Sequence, residues 1–171
     1  MFSEGIIVRR QELIEKSLGA PLVRYPKAKI QEAKEYLAEV MGPEGPVRKL
    51  AIEEQRFIEN EIYLSMVDFR HWAGNYCNIK LSGGGIGPFE FWESQNMLLN
   101  LCAKLEEDNW ERNKRGETLI GIRVMIHKAR QLGLTSISRA ILLHDLIFKR
   151  DIDALSASIG QKEIGELYDR D

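Results

Sequence analysis

Three consecutive textures near the carboxyl end limit the fold most: LIGIRVMI (119–126), HKARQLGLTS (127–136) and ISRAILLHDLIF (137–148). The first is apolar and rich in β-branched residues, which predicts a buried parallel strand. The last carries Ile137, Ala140, Ile141, Leu142, Leu143, Leu146 and Ile147. Apolar on most sides, it predicts a buried helix. A glycine-bearing loop joins the two. IDALSAS (152–158) then reads as a short strand and QKEIGELYDRD (161–171) as the start of another helix. This order makes a βαβ unit followed by the next crossover, hence an α/β fold. Two parallel strands make too small a sheet, so the expectation is a chain truncated inside a larger α/β domain.

Upstream of that unit the texture is helical. QELIEKSL (11–18) predicts a short helix, with an extended connector after it. KAKIQEAKEYLAEVM (27–41) places Ile30, Ala33, Leu37, Val40 and Met41 on one stripe, and GPEGP (42–46) breaks it. A second helix is expected after Pro46, carrying Leu50, Phe57, Ile58, Ile62 and Met66. Residues 1–66 thus form a helical arm, and residues 67–171 a second unit. In that unit NYCNIKL and GPFEFW read as short strands or extended segments around a turn at Gly83–Gly85. SQNMLLNLCAKLEED reads as a helix capped by Ser94, with Leu98, Leu101, Cys102 and Leu105 inward. EDNWERNKRGET reads as a loop.

Composition removes several classes. The 171 residues, 44% hydrophobic and 29% charged, suit a soluble globular chain with a real core. A net charge of −2 means that any nucleic-acid contact must use a local patch. Cys77 and Cys102 lack metal spacing and read as free thiols. No apolar run approaches the ~18 residues of a membrane span, and the first residues do not read as a signal peptide. GGGIG (83–87) lacks the dinucleotide fingerprint. His71, His127 and His144 show no convergent partners.

The loop is the chemical lead. It follows a strand and opens a helix, where free N–H groups and the helix dipole attract anions. Gly133 lets backbone approach an oxyanion, and Thr135 or Ser136 offers a hydroxyl for Mg²⁺. The usual pattern G-x-x-x-x-G-K-[ST] is departed from twice. Lys128 stands in place of the first glycine and Leu134 in place of the lysine. A long, flexible lysine stem at the front of the loop can reach back to the phosphates. About 30 residues upstream, FEFWESQ sets aromatics before a glutamine that opens a helix. An amide can read adenine and an aromatic can stack on it.

Together, DFRHWAGNYCNIKLSGGGIGPFEFWESQ and VMIHKARQLGLTSISRAILLHDLIF resemble the ATPase domain of large terminase subunits, the DNA-packaging motors of tailed bacteriophages. The resemblance covers about 100 residues from Val67 onward, and its specific part is the pairing of the FEFWESQ segment with KARQLG-x-[ST]. It implies the start of a P-loop NTPase with ATP and Mg²⁺ as cofactors. It implies that Gln95 reads adenine and that Trp92 or Phe89 flanks the base. It assigns the variant loop Lys128, Ala129, Arg130, Gln131, Leu132, Gly133, Leu134, Thr135 and Ser136 to the triphosphate, with Lys128 as displaced lysine, Arg130 facing phosphate and Thr135 on Mg²⁺. Double-stranded DNA, portal protein and small terminase subunit are the implied partners, in the host cytoplasm and without a membrane, with oligomerisation possible in the full motor. One departure is large. No apolar strand ending in Asp-Glu follows the loop, and no nuclease-like acidic set is present. This stretch alone is therefore expected to be inactive as an ATPase, with no catalytic residue of its own. The rival readings are another glutamine-motif ATPase of the helicase kind, and an interaction domain without nucleotide.

Overall fold

A computed structural model describes residues 2–43, 45–80, 85–121, 123–125 and 133–149. Helix α1 (Glu4–Leu18) starts where the Ser3 hydroxyl accepts the Ile6 N–H, and ends at Gly19 in the left-handed region. It begins seven residues before the QELIEKSL segment. Helix α2 (Lys27–Val40) follows Pro26, with Ile30 and Val40 buried. Strands β1 (Met41–Gly42) and β2 (Gly45–Pro46) form a minimal antiparallel pair. Helix α3 (Ile52–Val67) waits until Ile52 rather than starting at Pro46. The Glu54 carboxylate takes the Ala51 N–H at 2.6 Å, and this fixes the start.

Asp68 is the joint between α3 and a short helix α4 (Phe69–Tyr76) that periodicity did not reveal. Its N–H closes α3 on the Leu64 carbonyl, while its carboxylate accepts the Arg70 and His71 N–H groups and the Arg24 guanidinium. Strands β3 (Asn78–Lys80) and β4 (Ile86–Pro88) pair antiparallel; β3 lies within NYCNIKL, whereas of GPFEFW only Gly87 and Pro88 are strand. Helix α5 (Glu93–Lys114) comes next, and helix α6 (Leu134–Phe148) follows after residues 119–125.

The core is centred on α4. Phe69, Trp72 and Ala73 pack with Phe89, Leu99 of α5, and Leu134, Ile137 and Ala140 of α6. The Phe69 ring lies 5.5 Å from both Phe2 and His144, so the arm closes on the same core as α6. His144 is fully buried, and its Nε2–H donates to the Ser65 carbonyl at 2.8 Å. It is a structural histidine that ties α6 to α3.

Four further expectations change. The chain mixes helices with strands, but both sheets are antiparallel pairs, and no parallel sheet occurs among the described residues. LIGIRVMI is not a buried strand there: Leu119, Ile120 and Met125 are exposed, Met125 at 99%. An apolar β-rich run is buried only if a layer covers it, and the main described core lies among α4, α5 and α6 instead. The EDNWERNK stretch is helical, because it continues α5 as a solvent-facing surface with pairs such as Glu111–Lys114. Along α5 the buried stripe is Gln95, Leu99 and Cys102, with Leu101 exposed at 46%. Of the stripe expected from Leu98, Leu101, Cys102 and Leu105, Cys102 is buried and Leu98 packs against the core, while Leu105 is half-buried and Leu101 faces outward. Among the described residues no helix is long and apolar enough to cross a membrane.

Candidate functional site

The two halves of the nucleotide reading meet at one point, the start of α5 against the start of α6. Trp92, not Ser94, is the N-cap of α5. The Gln95 side-chain oxygen accepts the Trp92 N–H at 3.0 Å, one arm of a capping box. The other end of the same amide donates to the Gly133 carbonyl at 2.9 Å, spanning 38 residues of sequence. Gln95 is only 2% exposed, so this polar group is buried and both its ends are engaged. The Gly133 carbonyl also accepts the Ile137 N–H at 3.1 Å, the first bond of α6.

Gly133 must be glycine here for two reasons. Its φ of 66° lies in the left-handed region. A Cβ built on it would lie 2.5 Å from Gln95 Nε2 and 3.3 Å from Trp92 Cε3. Backbone therefore presses directly against the glutamine and the indole. Among the described residues no side chain caps the first turn of α6, and no acidic residue sits in it. Among those residues nothing offsets the N–H groups and the positive dipole end at which the helix starts.

The remaining predicted residues fall into distinct places. Leu134, where the usual lysine would stand, is buried in the core. Thr135 is exposed on the first turn of α6, and Ser136 is half-buried beside it. Phe89 is buried against Phe91, ring centroids 5.1 Å apart, so protein covers it. Trp92 is 52% exposed and leaves part of its ring to solvent. Lys128, Ala129, Arg130, Gln131 and Leu132 lie outside the described residues, as do His127 and the segments at 152–158 and 161–171. For Mg²⁺, Thr135 supplies one accessible hydroxyl. Among the described residues no three His, Cys, Asp or Glu side chains gather to hold a metal ion.

A second polar cluster escaped the sequence reading. Glu61 of α3 takes His71 Nε2 at 2.9 Å and the Tyr76 hydroxyl at 2.7 Å, both from α4. The Asn60 amide donates to its other oxygen at 3.2 Å. The Glu61 and His71 side chains are 6% and 7% exposed. Burial acts to raise the Glu61 carboxyl, but the bonds from His71, Tyr76 and Asn60 outweigh it and hold the group below its ordinary value. Burial, then Glu61, pushes the Tyr76 phenol up. The available signal was Asp68: an N-cap residue at that point folds α4 back so that His71 and Tyr76 face Glu61. Every carboxylate oxygen has a partner, so the cluster reads as a brace between α3 and α4.

Set beside protein-family models, curated proteins and solved structures, the chain matches none.

Proposed function

We propose that this chain is the N-terminal part of a viral large terminase, the ATP-driven motor that packages double-stranded DNA. The reading rests on the resemblance of its FEFWESQ and KARQLGLTS segments to that family. One observation carries it further: Gln95 and Gly133, one from each segment, are hydrogen-bonded at 2.9 Å. Segments 38 residues apart that serve one nucleotide have to meet, and these do. In this reading the triphosphate lies over the open N–H groups of α6, with Thr135 on Mg²⁺ and the exposed indole of Trp92 beside the base. Leu134 is committed to the core, so the ammonium comes from Lys128, with Arg130 in the same loop. Hydrolysis needs an acid to orient water and an arginine from elsewhere in the motor. Portal protein and small terminase subunit are the implied partners.

The test is titration of the chain with a non-hydrolysable ATP analogue and Mg²⁺. Saturable binding that weakens about tenfold or more in Lys128→Ala is expected, since a charged contact to phosphate is lost. Absence of saturable binding, or binding indifferent to Lys128, overturns the reading. That result would favour an interaction domain, whose own support is the exposed apolar side chains Leu143, Leu146 and Ile147 on α6.

A further inference from the structure

We propose that Gln95 is a positioning residue for Gly133 and the first turn of α6, and that it does not read the base. The site's choice among nucleoside triphosphates is then not made by this amide. The inference rests on the nucleotide reading above, but its geometry stands without any nucleotide.

A glutamine that selects adenine must offer both ends of its amide to the ring, the oxygen to the exocyclic amine and the nitrogen to a ring nitrogen. In this chain both ends are turned inward. The oxygen holds the Trp92 N–H and the nitrogen holds the Gly133 carbonyl, in a side chain 2% exposed. To face a base the amide would have to give up both bonds, the one from the Trp92 N–H and the one to the Gly133 carbonyl, which would keep only the Ile137 N–H. Gly133 adds a steric argument. It carries no side chain where Gln95 Nε2 approaches, and an added Cβ would stand 2.5 Å from that nitrogen. Glycine at 133 leaves room for the strap as well as permitting a positive φ.

The strapped carbonyl is also the one that starts α6. Gly133 O takes the Ile137 N–H at 3.1 Å and the Gln95 amide at 2.9 Å. Pulling on that atom from α5 sets the direction of the first turn of α6, hence the aim of its open N–H groups. Gln95 acts on an anion through Gly133, at a point common to every triphosphate, whatever its base.

Two variants separate the strap from the cap. Gln95→Glu keeps the acceptor for the Trp92 N–H, since glutamate serves the third position of a helix as well as glutamine does. At pH 8 it loses the donor to Gly133 and sets a carboxylate against a carbonyl. Gln95→Met loses both functions while keeping the volume. The first measurement is amide hydrogen exchange of the whole protein without nucleotide. The proposal expects faster exchange across 133–140 in both variants, with the start of α5 loosened only in Gln95→Met. Unchanged exchange at 133–140 in both variants overturns the strap.

The second measurement is binding of Mg-ATP, Mg-GTP and Mg-tripolyphosphate. Loss by the same factor for all three, about three- to tenfold, is expected for a weakened hydrogen-bonded support. A loss confined to ATP makes Gln95 a base reader and overturns the proposal. Should the wild-type protein bind none of the three while exchange responds as expected, the strap stands and the nucleotide reading falls.

Discussion

At Gly133 one residue satisfies two demands, a left-handed backbone and contact with a buried amide. Alanine there faces a left-handed penalty of about 1–2 kcal/mol and must also displace Gln95. We expect Gly133→Ala to cost at least about 2 kcal/mol in urea unfolding, with the loss concentrated at α5 and α6. A neutral outcome would mean that the contact is not maintained in solution. Cys77 allows a second test. Burial pushes its thiol up to about 11, so little thiolate exists near neutrality. Alkylation of Cys77 in the native protein at pH 8 should run well below the rate of the urea-unfolded chain, and equal rates would contradict the burial. At this scale the sequence was informative about identity and silent about direction. Gly133 and Gln95 were both legible as special residues. That they bond each other was not, because periodicity says nothing about which polar groups meet across 38 positions.

Between elements, the brace from α3 to α4 makes stability depend on acid. Glu61 has a folded-state pKa below its ordinary value, whereas in the unfolded chain it titrates near about 4.3. A depressed carboxyl contributes stability that is fully present above the unfolded value and is lost as pH falls through the folded one. Tyr76→Phe removes one bond to that carboxylate and lets its pKa rise. We expect a cost of about 1.5 kcal/mol at pH 7, shrinking as both proteins are taken below about pH 4. A penalty that stays constant from pH 7 to pH 3 would show that the hydroxyl does not act through the charge. Element boundaries divide in an instructive way. Helix α2 and the β3–β4 hairpin follow from a clean apolar stripe and a glycine turn. The carboxyl half of α5 was hidden because its charged residues face water, and polarity alone does not distinguish a solvated helix from a loop. Helix α4 was hidden because eight residues barely exceed two turns, too few for a period to emerge.

Over the whole molecule, the arm and the remaining helices share one aromatic centre. Phe69 touches the amino-terminal Phe2 on one side and His144 of α6 on the other. Phe69→Ala should therefore destabilise the arm and α6 together, by about 3–5 kcal/mol, in one cooperative transition seen by both helicity and tryptophan fluorescence. Separate transitions would mean that the arm folds independently. The expected division at residue 66 was drawn from a change of composition; Phe2 on one side of it and Phe69 on the other are in ring contact. The βαβ expectation was drawn from order alone. Of its parts, α6 lies where the pattern put it, while Leu119, Ile120 and Met125 are exposed. Next to that segment, Asn109 of α5 takes both main-chain groups of Ile120, donating to its carbonyl at 2.6 Å and accepting its N–H at 3.0 Å. Asn109 therefore engages both main-chain polar groups of Ile120, and neither is left for a neighbouring strand to pair with.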